Sequence, residues 1–98
     1  MDNNERLFEA VKDNNVSEVI SLVSDDMSLV YAEEQGFTAL YYAAQLGHSE
    51  VCNILLLYGA DINWTSTGYN QTPLHIAAVR GHVNSVDILI QHQANAHA

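Results

Sequence analysis

Five histidines and one cysteine are the residues of this chain whose side chains are best suited to metal binding or nucleophilic chemistry. Imidazole nitrogens and thiolates bind zinc, and a thiolate can also act as a nucleophile. A zinc site takes convergent ligands at recognisable spacing, and this chain shows no such spacing. We therefore expect no metal site and no cofactor. The residues concerned are His48, His75, His82, His92, His97 and Cys52.

The other polar residues do not form a catalytic motif either. The chain has no nucleophile elbow, no phosphate-binding glycine loop and no metalloprotease motif. Asp61 and Glu50 have no sequence neighbour that would pair with them for acid–base work. Cys52 falls at an apolar helix position without a basic neighbour, which predicts a buried and inert thiol. We therefore expect the chain to be non-enzymatic.

The charge balance narrows the class of partner. Twelve acidic residues against three basic ones give a net charge of −9. Phosphate binding needs clustered lysine or arginine, so this balance argues against nucleic acid and against an anionic membrane surface. It favours another protein, in particular one with a basic patch. The alternative is that the acidity serves only solubility.

The cellular location is predicted from what the sequence lacks. A single cysteine cannot form an internal disulfide, which suits a reducing compartment. We find no signal-peptide pattern and no apolar run of membrane-spanning length. We expect a cytoplasmic protein, and a nuclear location or delivery into a host cell stay open as alternatives.

The elements that would position these residues are indicated by an internal repeat. Residues 36–48, GFTALYYAAQLGH, return as residues 70–82, NQTPLHIAAVRGH, after 34 positions. A fainter copy lies 33 positions upstream, where Ala10 corresponds to Ala43. Self-similarity at this period is typical of a stacked repeat array.

The repeated block resembles a known family. Residues 72–77, TPLHIA, and residues 47–63 resemble the signature of ankyrin-repeat proteins. The resemblance implies one all-α domain over residues 1–98, an ankyrin-type solenoid of about three helix-turn-helix units with short β-turn fingers. Its units would be a degenerate N-terminal capping repeat (1–32), a second repeat (33–65) and a third repeat without an obvious C-terminal cap (66–98).

Local signals place the helices inside these units. Thr72 can cap a first helix through its hydroxyl, and Pro73 suits the first helical position. Gly81 predicts the end of that helix, where a positive φ is needed. The apolar periodicity predicts second helices from about 49 to 58 and from about 83 to 92.

The two ends of the array differ from its middle. Asn14-Asn15 replaces Gly-His in the first unit, as an altered capping repeat allows. The last unit ends without an obvious polar cap, so its outer face is expected to expose apolar surface. A partner or a second copy could cover this face, the chain could be a truncated piece, or polar residues 91–93 could blunt it.

The resemblance also implies where a partner binds. Ankyrin-repeat proteins generally bind on the concave surface made by the fingers and the first helices. Tyr41 replaces the usual histidine of the turn, and Trp64 either packs under the long finger or anchors a partner. The candidate contact residues are Glu33, Glu34, Gln35, Phe37, Gln45, Leu46, Trp64, Ser66, Thr67, Tyr69, Gln71, Val79 and Arg80.

The predicted function is therefore non-enzymatic binding of another protein, with Glu33 and Glu34 selecting a basic or polar patch. One alternative is an inhibitor that occludes an enzyme surface. Another is the targeting segment of a larger enzyme or secreted effector. Self-association through the C-terminal face also stays open.

One modification site is an alternative. Leu55, Asp61, Ile62 and Asn63 match the spacing of the asparaginyl-hydroxylase substrate pattern found in ankyrin repeats. The favoured interpretation is that Asn63 only stabilises its turn through side-chain hydrogen bonds.

Overall fold

Six α-helices and one short hairpin make up the structure, a computed structural model that describes residues 2–66 and 70–96. Two predicted contact residues, Thr67 and Tyr69, and also His97 lie outside the described residues. A 3-10 helix, Met27–Tyr31, precedes the antiparallel strands β1 (Glu33–Glu34) and β2 (Phe37–Thr38). The α-helices are α1 (Asn3–Lys12), α2 (Val16–Asp25), α3 (Ala39–Leu46), α4 (Ser49–Leu57), α5 (Pro73–Val79) and α6 (Val83–Ala96).

The helices pair into three units that stack in two layers. The first helix of each unit packs in one layer, with α3 contacting both α1 and α5. The second helices pack in the other layer, with α4 contacting both α2 and α6. Among the described residues, the extensive contacts between units thus join units that are neighbours in the chain, as expected for a repeat array.

The starts of the first helices agree with the sequence signals. Thr38 accepts a hydrogen bond from the backbone N–H of Tyr41 at 3.3 Å and caps α3. Thr72 caps α5 in the same way, and Nδ1 of His75 accepts a hydrogen bond from the Thr72 N–H at 3.0 Å. Pro73 occupies the first position of α5, where no donor is needed.

One predicted helix end is wrong. The periodicity predicts an end of α6 near His92, whereas α6 continues to Ala96. In the middle unit, Gly59 adopts a φ of 98° directly after α4, and the chain turns away there. The last unit has Gln93 at the corresponding position, so it lacks the glycine that favours this turn.

Burial is densest in the first two units. The buried side chains of α1 to α4 follow the predicted helical periodicity, and the Ala43 and Ala44 side chains are completely buried. Such small residues let the neighbouring helices approach closely. Far fewer of the described positions are buried in the last unit; they are Ser66, Pro73, Ile76, Ala77, Ser85 and Leu89. The core therefore thins towards the outer face of that unit.

The histidines of the interhelix loops join successive units, as a structural role predicts. His48 Nε2 lies 3.3 Å from the carbonyl oxygen of Lys12, at the end of α1. His82 Nε2 lies 2.9 Å from the carbonyl oxygen of Gln45, in the last turn of α3. A carbonyl oxygen can only accept, so Nε2 is the donor in both contacts. The same bond thus holds each full unit to the unit before it.

Gly47 is required at the second of these contacts for two reasons. Its φ is 76°, a left-handed conformation that side-chain-bearing residues disfavour. A Cβ atom on Gly47 would also lie 2.6 Å from Nδ1 of His82. Only glycine therefore lets the next loop approach so closely.

Cys52 lies in the core, as predicted. Its thiol is fully buried, and burial raises its pKa to about 12, partly opposed by the nearby Ser85 hydroxyl. No hydrogen-bond geometry links the Ser85 hydroxyl to a partner within the described part of the chain. The thiol therefore stays protonated, and poorly nucleophilic, at neutral pH.

Substituting alanine at the two loop glycines is expected to separate strain from steric exclusion. Gly81 shares the φ of 76°, but no atom lies within 4 Å of a Cβ placed there. We expect Gly81→Ala to lower the free energy of unfolding by about 1–2 kcal/mol through backbone strain. Gly47→Ala should cost about 1–3 kcal/mol more, because the His82 ring must move. Urea unfolding checks this, and equal losses would contradict the contact.

The burial of Cys52 predicts slow thiol chemistry. At pH 8 to 9, a disulfide reagent should modify the native chain far more slowly than the chain in urea, since the native thiol is inaccessible and protonated. The unfolded chain loses the thiol proton near the ordinary thiol pKa of 9.0, so stability should fall as the pH rises from about 9 towards 12. Rapid labelling of Cys52 below the urea concentration at which the chain unfolds would contradict this prediction. It would show that the buried face of α4 becomes accessible in the folded chain.

Candidate protein-binding surface

The candidate surface consists of the fingers and the exposed ends of the first helices, which we call the finger–helix surface. Its first finger is the β1–β2 hairpin, in which Glu33 pairs with Thr38 and Glu34 with Phe37. The two turn residues, Gln35 and Gly36, have φ values of 54° and 84°. Two positive φ values suit a two-residue hairpin turn, which places exposed Gln35 at the tip.

The two predicted acidic contacts have different environments. Glu34 Oε2 accepts a hydrogen bond from Lys12 Nζ at 2.6 Å, which raises the pKa of Lys12 above its usual value. The Glu34 carbonyl oxygen accepts from the Tyr42 hydroxyl at 2.8 Å, and Lys12 Nζ lies 5.0 Å from the centre of the Tyr42 ring. Exposed Glu33 makes no salt bridge with any residue that the structure describes. Of these two carboxylates, only that of Glu34 is ion-paired among the described residues.

Three aromatic rings form a cluster beside the first finger, here called the aromatic cluster (Phe37, Tyr41 and Trp64). Phe37 and Tyr41 stack with ring centres 4.8 Å apart and planes 25° from parallel. The Trp64 ring meets Tyr41 edge-on at 5.7 Å and Phe37 at 6.2 Å. Such pairs contribute about 0.5–1.5 kcal/mol each beyond area burial. Trp64 is half-buried, so its ring packs within the array and still presents part of its area to solvent.

Tyr41 makes a different contact from the histidine at the equivalent position of the last unit. Its hydroxyl donates a hydrogen bond to Oε1 of Gln71 at 2.9 Å, across 30 residues of sequence. His75, at the equivalent position of the last unit, instead bonds back to Thr72 within its own turn. The substitution therefore ties the middle unit to the finger of the next one.

Ser66 lies in the connection between α4 and α5, which the sequence predicts as the second finger, and it is buried. Its side chain is 1% exposed, and its hydroxyl accepts a hydrogen bond from the N–H of Gln71 at 3.3 Å. The Ser66 N–H donates to the Gln71 carbonyl oxygen at 2.9 Å, so the two residues close the base of the finger. A residue buried in this way cannot touch a partner, and we correct its predicted placement among the contacts.

The first helices contribute a mixed set of side chains to the surface. Leu46 is 43% exposed and Val79 is 72% exposed, at the ends of the packed helices α3 and α5. Arg80 is exposed, whereas Gln45 is half-buried and uses its carbonyl oxygen to accept from His82. These ends thus present apolar and cationic groups to solvent.

Lys12 is a surface residue that the sequence argument missed. It occupies the position of Gln45 in the first unit, and its ammonium group links α1 to the first finger. The signal that could have identified Lys12 is the 33-residue repeat, which aligns it with the candidate contact residue Gln45. The pair is about half exposed, so it contributes about 0–1 kcal/mol and acts mainly to orient Glu34.

The remaining candidate residues, His92 and Asn63, lie in hydrogen bonds that connect parts of the fold. Nε2 of His92 lies 2.7 Å from Oδ1 of Asn53, which links α6 to α4. Asn63 is exposed, and its N–H donates to Oδ1 of Asp61 at 2.9 Å. Residues 2–66 and 70–96 contain no group of three or more histidine, cysteine or carboxylate side chains that could hold a metal ion. No helix in these ranges is long and apolar enough to cross a membrane.

Comparison with known proteins gives the same family from two overlapping parts of the chain. Residues 2–66 match the family described as "Ankyrin repeats (3 copies)", and residues 43–90 match "Ankyrin repeats (many copies)". The putative E3 ubiquitin-protein ligase XBAT34 of Arabidopsis thaliana is 38% identical over 93 residues, which are 93% of this chain and 25% of that protein.

Two further relatives match a shorter stretch. Alpha-latrotoxin-Lhe1a of Latrodectus hesperus is 37% identical over 59 residues, 60% of this chain and 4% of the toxin. Protein fem-1 homolog A of Bos taurus is 42% identical over 59 residues, 60% of this chain and 9% of that protein. The chain therefore spans a quarter or less of the length of these relatives.

The matched stretches carry the features that hold the units together. They include the threonine-capped first helices, the buried alanine pair and the glycine–histidine loop that contacts the preceding unit. The predicted all-α repeat fold with a short hairpin finger is confirmed. By its sequence matches and its stacked helix-turn-helix units, this chain belongs to the ankyrin-repeat family.

Proposed function

We propose that the chain is a protein-binding module that uses its finger–helix surface, a role in keeping with a family whose repeats generally bind proteins. The observation that carries the proposal is a contrast between equivalent positions of the middle and last units. Framework residues repeat, with Ala43-Ala44 matched by Ala77-Ala78 and Gly47-His48 by Gly81-His82. The two positions after the alanines differ, since the pair 45–46 is Gln-Leu and the pair 79–80 is Val-Arg. Three of these four residues are exposed, and Gln45 is half-buried. A fixed scaffold with varied surface residues suits specific recognition.

The chemistry of the surface favours a partner that combines a basic group with an apolar one. Glu33 offers an unpaired carboxylate at the finger, and the net charge of −9 steers cations towards the chain. Leu46 and Val79 offer exposed apolar area on the neighbouring helix ends. The aromatic cluster stiffens the base of the finger, which lowers the entropic cost of binding.

The proposed contact set follows from these placements. Glu34 belongs to it through its orientation by Lys12, and Ser66 does not belong to it because it is buried. Thr67 and Tyr69 are retained from the sequence prediction. The proposed contacts are Glu33, Glu34, Gln35, Phe37, Gln45, Leu46, Trp64, Thr67, Tyr69, Gln71, Val79 and Arg80.

A second candidate role is that of a binding segment within a larger protein. The observation in its favour is that the chain corresponds to a quarter or less of its relatives, one of which is named as a putative ubiquitin ligase. On this proposal the segment itself has no catalytic role and directs a partner to the rest of the molecule. The cytoplasmic location is kept as part of the proposal.

We keep the turn as the favoured role of Asn63, whose main-chain N–H donates to the carboxylate of Asp61. In this contact Asp61 supplies the side-chain group, and Asn63 supplies only its backbone. Hydroxylation of Asn63 stays the alternative.

A matched pair of charge reversals tests the finger–helix surface. A partner is first captured from an extract of the source cells and then prepared pure. We expect Glu33→Lys to weaken its binding about tenfold at low salt, which is about 1.4 kcal/mol, because a basic group loses its carboxylate and meets a cation. Isothermal titration calorimetry at two salt concentrations measures the change.

The control is Asp87→Lys, which makes the same charge change at an exposed position of the outer helix α6. It should weaken binding less than twofold, because only the long-range attraction changes. Equal losses of affinity in the two variants would show that Glu33 acts only through the net charge of the chain. Unchanged binding in both would place the interface elsewhere on the chain.

A further inference from the structure

We propose that the edge of the array where the second helices α2 and α4 end is a further docking surface. It takes a segment of another protein that presents apolar side chains flanked by lysine or arginine. This surface, here called the second-helix edge, is defined by Met27, Tyr31 and Leu57. None of these residues belongs to the finger–helix surface, so the proposal goes beyond the function proposed above.

The repeat brings these three residues to one edge of the molecule. The helices α2 and α4 occupy equivalent places in successive units and contact each other, so they run in the same direction and end at the same edge. Leu57 is the last residue of α4, and Met27 follows the end of α2 by two residues. The Tyr31 hydroxyl would lie 3.6 Å from a Cβ atom placed on Gly59, just after α4. Tyr31 thus reaches from the first unit to the end of α4.

Large apolar side chains are exposed along this edge. Leu57 is 66% exposed, Tyr31 is 62% exposed and Met27 is 55% exposed. A single exposed apolar residue needs no explanation, whereas several at one edge of a small array indicate a binding surface. Tyrosine and methionine are also among the residues that are enriched at protein interfaces.

The exposure of Tyr31 contrasts with the packing of its equivalent in the middle unit. The 33-residue repeat aligns Tyr31 with Trp64, which packs within the aromatic cluster. The same repeat aligns Phe37 of that cluster with Asn4, so the first unit has an amide where the middle unit has a ring. The sequence therefore keeps an aromatic side chain at a position that the array leaves largely open to solvent.

The electrostatics of this edge favour a cationic partner. The C-terminal end of a helix is the negative end of its dipole, and neither α2 nor α4 has a basic residue in its last turn. Asp25 is the last residue of α2 and adds a like charge there. Exposed Asp26 and Asp61 follow the ends of the two helices. A lysine or arginine of the partner would offset the negative potential of this edge.

The chain supplies no such cation from its own central sequence. Residues 13 to 79 contain no lysine or arginine. Within the described part of the chain, the carboxylates that form salt bridges are those of Glu18 and Glu34, and neither lies on the second-helix edge. The partner must therefore bring the positive charge.

A second copy of this chain does not have the required chemistry. It carries the same net charge of −9 and only three basic residues. Two of these, Arg6 and Lys12, already form salt bridges at 2.8 Å and 2.6 Å. The negative charge also repels nucleic acid and anionic membranes. The occupant that we assign is therefore a segment of a different protein that combines apolar and basic residues.

A synthetic amphipathic helix of leucine and lysine is the probe that tests this surface. In nuclear magnetic resonance titrations of the native chain, we expect it to shift the amide signals of Met27, Tyr31, Leu57 and Gly59 more than those of the finger–helix surface. A peptide with glutamate at every lysine position should bind at least about tenfold more weakly, because it meets like charge at this edge. A peptide with serine at every leucine position should lose a similar factor, because it has no apolar face.

Two leucine-to-lysine substitutions form a matched pair. Leu57 and Leu46 are each the last residue of a helix, and each is exposed. Leu57→Lys should weaken binding of the leucine–lysine peptide about tenfold, because the peptide loses an apolar contact and meets a cation. Leu46→Lys makes the same change on the finger–helix surface and should weaken binding about twofold at most, through long-range charge alone. A lysine suits the C-terminal end of a helix, so both variants should keep the circular dichroism spectrum of the native chain.

Several results would overturn the proposal. These are a leucine–lysine peptide that does not bind, equal weakening by the two substitutions, and equal binding of the glutamate peptide. Loss of binding in Leu46→Lys and Glu33→Lys but not in Leu57→Lys would also overturn it, and would leave the finger–helix surface as the binding site. Light scattering that shows a dimer of the native chain and a monomer of Leu57→Lys would assign the edge to a second copy.

Discussion

A hydrogen bond from the histidine of an interhelix loop to the preceding unit sets how the units of this array stack. His82 donates to the Gln45 carbonyl oxygen at 2.9 Å while its ring lies over Gly47, where a Cβ atom has no room. One such bond contributes only about 1 kcal/mol. Its importance lies in register, because it fixes the distance at which α3 and α5 meet and so buries the alanines between them. A helix-turn-helix unit has no core of its own, so its stability comes from this meeting of neighbours.

The chain separates the residues that hold the array from those that face outward. Capping threonines, loop glycines and paired alanines recur at the same positions of the middle and last units, whereas the exposed ends of α3 and α5 carry different side chains. Contacts between units are added above this framework, from Lys12 to Glu34 and from Tyr41 to Gln71. These polar links orient the fingers at little energetic cost, and they leave Glu33 as the carboxylate through which we propose that a basic partner binds.

Much of this arrangement could be predicted from local chemistry, and the rest depends on distant partners. The threonine caps, Pro73 and the role of the loop histidines follow from rules that act within a few residues. The burial of Ser66 and the Lys12–Glu34 pair could not be predicted in this way, because long side chains choose among several partners only once the units are stacked. The extension of α6 to Ala96 did have a sequence signal, because Gln93 stands where the middle unit has Gly59. Apolar periodicity alone does not predict this extension.

The most direct test of the account compares two probes of urea unfolding, before and after His82→Ala. Trp64, the single tryptophan, lies in the second unit, and its ring contacts Tyr41, whose hydroxyl bonds to Gln71 of the third unit. Its fluorescence therefore reports on the part of the second unit that adjoins the third, whereas far-ultraviolet circular dichroism reports on all helices. We expect coincident transitions in the native chain, and in His82→Ala a fluorescence transition that precedes the loss of helix. Separate transitions in the native chain, or coincident and unshifted transitions in the variant, would contradict the central role of the loop contact.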